Sequence, residues 1–343
     1  MFMMAFNVSV IRGRKLYIGL GLILLLLLLF FFYQGWLSQL DLINEDVYFL
    51  GRNMRGYSYE QTEEILVGRL IEWQQAPVNA LYNPERQVIV PEIWGYKVDI
   101  EDTLNRIIAA DSGESVFPSL EPLYPEISIA DYPAAFIEQG NPHKNEVALM
   151  INVAWGSEHL EPMLDVLSSE GVHGTFFVVG RWAHEHEPLL REIALRGHEL
   201  ANHGHTDALV YTELNPEEMK NGLTDVNIQI ETVSGHVPKY FTPHKGEYNE
   251  LVLEVVSRVG MRTVLWTIDT VDWNKPGVEK MKDKVLTKLT GGGIILMHLT
   301  ADTVIFLQET LPMIKQRGFD IVTIDELLSP HYPPSIIRFT EIQ

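Results

Sequence analysis

From Val147 onward the chain repeats one rhythm, an apolar strand-like stretch followed by an amphipathic helical one, and few architectures accommodate it. The strand candidates are VALMINVA, GTFFVVG, HELANH, YFTP, TVLWTID, IILMH and FDIVTI. Between them lie helical patterns such as HLEPMLDVLSSEG, EPLLREIALRG, NPEEMKNGLTDVNIQIETVSG, ELVLEVVSRVG and TVIFLQETLPMIKQRG. Strands separated by helices of that length imply right-handed crossovers, hence a parallel sheet or barrel with helices outside. The helix ends are marked accordingly: Asn215 with Pro216 opens one, and Gly171, Gly197, Gly235, Gly260 and Gly318 close others.

In such folds chemistry collects at the C-terminal ends of the strands. The residues just past each strand are Asn152 to Trp155, His203 to Asp207, Thr242 to Lys245, Asp269 to Trp273, and His298. Polar and aromatic groups from five strands are therefore expected to converge on one cleft.

The chain of 343 residues exceeds what one such domain needs. After Arg12, Arg14 and Lys15 comes LYIGLGLILLLLLLFFFYQGWL, with no charge from Leu16 until Asp41. About 20 apolar residues suffice to cross a hydrocarbon core as a helix. The basic flank before the run and Asp41, Glu45 and Asp46 after it put residues 1–15 in the cytoplasm and the remainder outside, by the positive-inside rule. A cleavable signal peptide has a shorter apolar region ending in a small-residue site, and no such site follows here. We expect an uncleaved single-pass anchor over 16–37 and a cell-membrane location with the C-terminal domains extracytoplasmic.

Residues 46–110 read as a small α+β module. YSYEQTEEILVGRLIEWQQ puts Ile65, Leu66, Leu70 and Ile71 on one helical face, VNALYN, QVIVP and YKVDI are strand-like, and IEDTLNRIIAA is a second helix carrying Leu104, Ile107 and Ile108. Residues 111–146 hold prolines at 117, 122, 125, 133 and 142, which oppose helix and ladder alike. They read as a surface linker, and 147–330 as the βα domain.

With 46 acidic against 26 basic residues the formal charge is −20, which argues against a nucleic-acid partner but leaves an uncharged glycan unaffected. The absence of cysteine excludes disulfides, thiolate metal sites and covalent thiol chemistry.

GTFFVVG, GHELANH, GEYN, DTVDW, IILMH and RGFDIVTIDELL occur in the order and spacing of the polysaccharide deacetylases with a NodB-like domain, and over about residues 147–330 the chain resembles that family. The resemblance implies an α/β fold: a distorted (β/α)7 barrel, here preceded by the small α+β module and one transmembrane helix. It further implies removal of acetyl groups from N-acetylated sugars with a divalent metal, zinc before others. GRNMRGYSYEQTEEIL, PVNALYN and VIVPEIWGYKVDIEDTL resemble, more weakly, the peptidoglycan-binding domains beside membrane anchors in Gram-positive cell-wall proteins. The implied partner is peptidoglycan or a related N-acetylglucosamine polymer.

Amide hydrolysis at such a site needs a metal to polarise the acetyl carbonyl and activate water, a carboxylate base, and an acid for the leaving amine. In the family the first strand ends in two aspartates, the base and a metal ligand; Asn152 and Val153 stand there instead. An amide has no basic lone pair, so Asn152 either hydrogen-bonds substrate or merely ends a strand. NVAWGSE resembles a variant subgroup, in which Glu158 either offers a replacement carboxylate or belongs to the next helix. The family's metal motif has two histidines four residues apart. His203 matches the first and Asp207 occupies the second.

Carboxylate oxygen is an acceptable zinc ligand, so His203 with Asp207, helped by waters or His205, is one reading. A solvated turn without an ion is the other, because tight catalytic zinc has three protein ligands. The arginine that orients the base in relatives is Thr242 here, although backbone N–H groups near Lys245 suit an oxyanion. The general acid is matched by His298, and the aspartate that tunes it by Asp272. Trp273 and Trp155 offer broad apolar faces that either stack on sugar rings or fill the core.

Two functions follow. One is a surface deacetylase of N-acetylated cell-wall glycan, its site repaired by Asp207. The other is a non-catalytic relative that binds glycan or scaffolds partners, possessing no metal. Substitution at Asn152, Val153, Asp207 and Thr242 favours the second, because losing one member of a catalytic set costs orders of magnitude in rate.

Overall fold

The computed structural model describes residues 25–32, 42–43 and 46–334, which form two compact units apart from the helical residues 25–32. The rest of the expected membrane span lies outside the described residues. Among those described, no helix is long and apolar enough to cross a membrane.

The first unit contains Tyr96–Pro122 and described residues up to Gln74. Helix Tyr59–Trp73 starts at a capping box in which Ser58 and Gln61 satisfy each other's backbone N–H groups. Its buried residues are Thr62, Leu66 and Trp73, which share core with Leu104 and Ile107 of helix Ile100–Ala109. Ile71, expected on the apolar face, is 93% exposed. At 100° per residue, a stripe through positions 62, 66 and 73 leaves 71 on the opposite side.

The second unit holds eight parallel strands: β1 (Glu146–Val153), β2 (Thr175–Val178), β3 (Glu199–Asn202), β4 (Tyr240–Phe241), β5 (Arg262–Thr263), β6 (Ile268–Asp269), β7 (Ile294–His298) and β8 (Asp320–Val322). Neighbours run β5-β4-β3-β2-β1-β7-β6, a curled seven-stranded sheet, and β8 joins the first half of β1. The stretch TVLWTID is two strands rather than the single one expected, because the sheet opens between β5 and β6.

The opening is filled from outside the expected barrel. Ile137 donates its N–H to the Thr263 carbonyl and accepts from the Leu265 N–H, at 3.0 and 2.7 Å. Arg262 donates to the carbonyls of Ile129, Tyr132 and Ala135. Residues 75–95 and 123–146, read from the sequence as parts of the small module and the linker, thus belong to the compact unit of the barrel. The prolines block pairing only where they stand, and Pro133 and Pro142 flank a stretch whose Phe136 and Ile137 N–H groups still pair.

Alternation along β1 sorts the core. Val147, Leu149, Ile151 and Val153 pack outward among helices such as Leu160–Ser169, while Ala148 and Met150 face inward. On β7, Ile295 and Met297 pack outward, Ile294 and Leu296 inward. Both inward rows end on a polar group, Asn152 and His298, which are register partners.

The opposite end is closed by helix Ile324–Leu328, whose Ile324, Leu327 and Leu328 complete the inner core. The buried Lys144 ammonium donates to the carbonyls of Glu326, Leu327 and Ser329 at its C-terminus. At its N-terminus Glu199 accepts from the Thr175 hydroxyl (2.6 Å) and the Asp325 N–H (3.2 Å). Burial pushes the Glu199 carboxyl up to about 7, against those hydrogen bonds.

Protonated Glu199 is therefore the better-tolerated form in the fold, where an ordinary glutamate titrates near 4.5. Its contribution is fully present below about 4.5 and is lost as pH rises through about 7. Glu199→Gln should shrink the fall in urea midpoint between pH 5 and pH 8 seen for the parent. An equal fall in both proteins would refute this origin.

Candidate functional site

A cavity of about 500 Å³ opens at the C-terminal ends of the strands. Asn152, His203, Asp207, Asp269 and His298 line it, with Trp155, Trp266 and Trp273 supplying aromatic walls. Asp272 lies beneath, bonded to His298. The predicted residues Asn152, His203, Asp207, Trp273 and His298 are thus brought together, whereas Glu158 and His205 do not line the cavity and Val153 turns outward into the helix layer, where it is fully buried.

The most tightly held group is Asp272, at the start of the short turn Asp272–Asn274 after β6 and 0% exposed. One carboxylate oxygen accepts from the Trp273 N–H (2.9 Å) and from His298 Nδ1 (2.8 Å). The other accepts from the His298 N–H and the Thr303 hydroxyl, both at 2.6 Å. Four donors compensate the desolvation of a buried anion. With Nδ1 against a carboxylate, the imidazole carries its proton there and Nε2 is left for the cavity. The chain reaches this arrangement through Val271 at φ +59, a strained conformation for a β-branched residue, supported by its N–H on Asp269 Oδ1 at 2.7 Å.

Trp155 stacks on His298, ring centroids 5.8 Å apart and 7° from parallel. Gly156 makes the placement possible: it has φ +78, and an added Cβ would run into the Leu299 carbonyl oxygen. Trp155 is 44% and Trp273 56% exposed, so both present faces to a ligand.

His203 follows β3 and is buried. Its Nδ1 donates to the Thr242 carbonyl at 2.7 Å, leaving Nε2 free, the tautomer a metal ligand requires. Its ring lies 4.1 Å from that of His244. Burial first, then the neighbouring His244, hold the His203 pKa well below 6.5, and burial also lowers that of His244. Both are neutral imidazoles near neutral pH.

The rest of a metal centre does not assemble around them. Asp207 is exposed, with its carboxylate 3.4 Å from the Arg181 guanidinium. His205 is exposed as well. Among the described residues, no three His, Cys, Asp or Glu are placed to hold an ion. Catalytic zinc takes three protein ligands, so the residues present do not fit it. Thr242 is fully buried with an unpartnered hydroxyl, and Asn152 Oδ1 likewise has no hydrogen-bond partner.

Four contributors were not singled out from sequence. Asp269 lay within a strand-end range and Thr303 within a helical pattern. His244 lies within the strand-end range Thr242 to Lys245, unmarked by any motif. Trp266 was hidden inside what reads as an unbroken strand.

A family model described as polysaccharide deacetylase matches residues 139–264. The uncharacterized protein YlxY of Bacillus subtilis is 33% identical over 265 residues, 77% of this chain and 82% of that protein. The peptidoglycan-N-acetylmuramic acid deacetylase PdaA of Bacillus subtilis is 28% identical over 69% of this chain and 86% of its own length. Among solved structures, wild-type BA3943 of Bacillus anthracis, described as a CE4 family pseudoenzyme, superposes with a TM-score of 0.68 at 29% identity, covering 78% of this chain and 95% of that one. A mutant of it, described as having restored enzymatic activity, gives 0.68 at 28% identity, with 78% and 98% covered.

Gly156→Ala should lower stability by about 2–4 kcal/mol, combining a positive φ with a backbone collision. Gly171→Ala, with φ +60 but open space at its Cβ, isolates the conformational part and should cost about 1 kcal/mol. Equal losses in urea unfolding would show that close approach to Leu299 contributes nothing.

Proposed function

This chain belongs to the polysaccharide deacetylase family, and we propose that its barrel binds N-acetylated cell-wall glycan without hydrolysing it. The observation that carries this reading is the state of the metal and base positions. Asn152 supplies no base, Val153 packs among helices, and Asp207 is exposed beside Arg181. The acid half persists as His298 on Asp272, and the aromatic walls persist as Trp155 and Trp273. A retained groove with a dismantled hydrolytic set suits holding a sugar more than cutting it.

The names of relatives support the ligand class, since PdaA is a peptidoglycan deacetylase. The description of BA3943 as a pseudoenzyme supports the loss of chemistry. The apolar run after Arg12, Arg14 and Lys15 supports a single-pass anchor that holds the barrel outside the cell membrane, and the weaker resemblance of residues 46–110 to peptidoglycan-binding modules suits the same surface. A deacetylase in which Asp207 completes a zinc site is the competing reading, favoured by Asp207 lining the cavity with His203.

Purified protein should retain little zinc after dialysis and release no acetate from chitooligosaccharides or peptidoglycan. Stoichiometric metal with turnover would establish the competing reading. Restoring Asn152→Asp, Asp207→His and Thr242→Arg should raise metal retention and let zinc raise the melting temperature, whereas the parent's should not respond. Adding Val153→Asp should lower stability with or without zinc, because that side chain is fully buried in the outer helix layer.

A further inference from the structure

The barrel end remote from the glycan cavity is closed by a helix too short to hold itself. Helix Ile324–Leu328 has five residues, and isolated helices below roughly 12 residues are marginal in water. Its position depends on what grips its two ends. Lys144 holds the C-terminal carbonyls, and the N-terminal turn converges on one carboxyl group. Glu199 Oε2 accepts from the Asp325 N–H, and the Thr175 hydroxyl that donates to the same oxygen accepts from the Ile324 N–H at 2.8 Å. The first two amides of the helix therefore hang on Glu199, one directly and one through Thr175.

The neighbours decide which form of that carboxyl the docked helix tolerates. From the helix itself, Asp325 presents a negative charge, and Glu326 is occupied in accepting from the Thr323 N–H and hydroxyl. From the start of β4, the Lys239 ammonium and the Tyr240 hydroxyl both donate to Asp325, at 2.8 and 2.9 Å. From β5, Arg262 is engaged by the carbonyls of Ile129, Tyr132 and Ala135. From β2 comes the Thr175 hydroxyl alone. Next to Glu199 in the chain, burial pushes the His198 imidazole down to about 4, and its Nδ1 accepts the Gly174 N–H. A cavity of about 800 Å³ opens beside Glu199 and is lined by His236 as well. Among the described residues, no cation pairs with Glu199.

We propose that the closing helix is a proton-operated latch, docked while Glu199 carries its proton and released at its N-terminal turn when Glu199 ionises against Asp325. The like charge supplies the repulsion, and a helix of one turn and a half has no internal reserve against it. Release unseats Ile324, Leu327 and Leu328 from the inner core they share with Ala148, Met150 and Leu296. A carboxyl that titrates near 7 when docked and near 4.5 when released makes opening about tenfold more frequent at pH 8 than at pH 6. The latch goes beyond the glycan-binding reading and does not depend on it.

Amide hydrogen exchange of the full chain in mild detergent tests the latch, read by mass spectrometry at pH 6 and pH 8 and corrected for the intrinsic pH dependence of exchange. The bonded amides of Leu327 and Ser329 report on the helix, and those of β1 and β7 are the reference. In the parent, protection over residues 323–329 should fall about tenfold between the two pH values while the reference strands stay within about twofold. Glu199→Gln, which cannot ionise, should hold the helix within about twofold. Asp325→Asn removes the repelling charge and should also shrink the fall, so the test stands even if the glutamine variant folds poorly. Equal protection of the parent helix at both pH values would overturn the proposal. An undiminished fall in Glu199→Gln would overturn it too, passing the effect to another group such as His236. A matching fall across β1 and β7 would show global unfolding in place of local release.

Discussion

A single buried carboxylate organises the functional end of the barrel. Asp272 receives hydrogen bonds from its own turn after β6, from both the backbone and the ring of His298 at the end of β7, and from Thr303 in helix Ala301–Gln316. Three successive pieces of chain thereby acquire one mutual geometry. An anion with no exposure tolerates the loss of none of these donors without a large desolvation cost. The orientation of His298, and through it the platform for Trp155, follows from electrostatic necessity in the interior. It does not require that any reaction occur.

That dependence explains which parts of a hydrolytic site persist and which drift. His298 and Asp272 are interior groups whose partners are scaffold, so replacing either would destabilise the barrel as well as its chemistry. Asp207 sits in an exposed turn where its ion pair with Arg181 is worth about 1 kcal/mol or less. Val153 has gone further and joined the outer apolar cluster with Leu149 and Ile151.

Much of this was legible from residue pattern. Period-two alternation locates β1 and β7, and its parity already assigns Val153 to the same face as Leu149 and Ile151, and Asn152 to the face of Met150. The Asn215–Pro216 signal marks the start of helix Pro216–Ser234 because the cap side chain meets two amide groups that nothing else can reach. DTVDW announces the partner of His298 through the resemblance. Long-range closure was not legible. Nothing local in TVLWTID says that the sheet parts after Thr263, because the cause is Ile137, more than a hundred residues away, pairing with that edge. His244 was obscure for a related reason: its contact with His203 depends on a turn with Lys245 at φ +55, a conformation that sequence does not advertise for lysine.

The identity of residue 152 follows from the same electrostatics. A carboxylate at a position 5% exposed is tolerable beside a divalent cation and an orienting arginine, which together neutralise it. With valine at 153, aspartate at 207 and threonine at 242, both sources of compensation are gone. An aspartate left at 152 would then be an unpaired buried charge, costing several kcal/mol or forcing its own protonation. Asparagine keeps the shape and removes the charge, so it suits a buried position that has neither a cation nor an arginine beside it. It stands as an uncharged side chain in a groove walled by Trp155, Trp266 and Trp273.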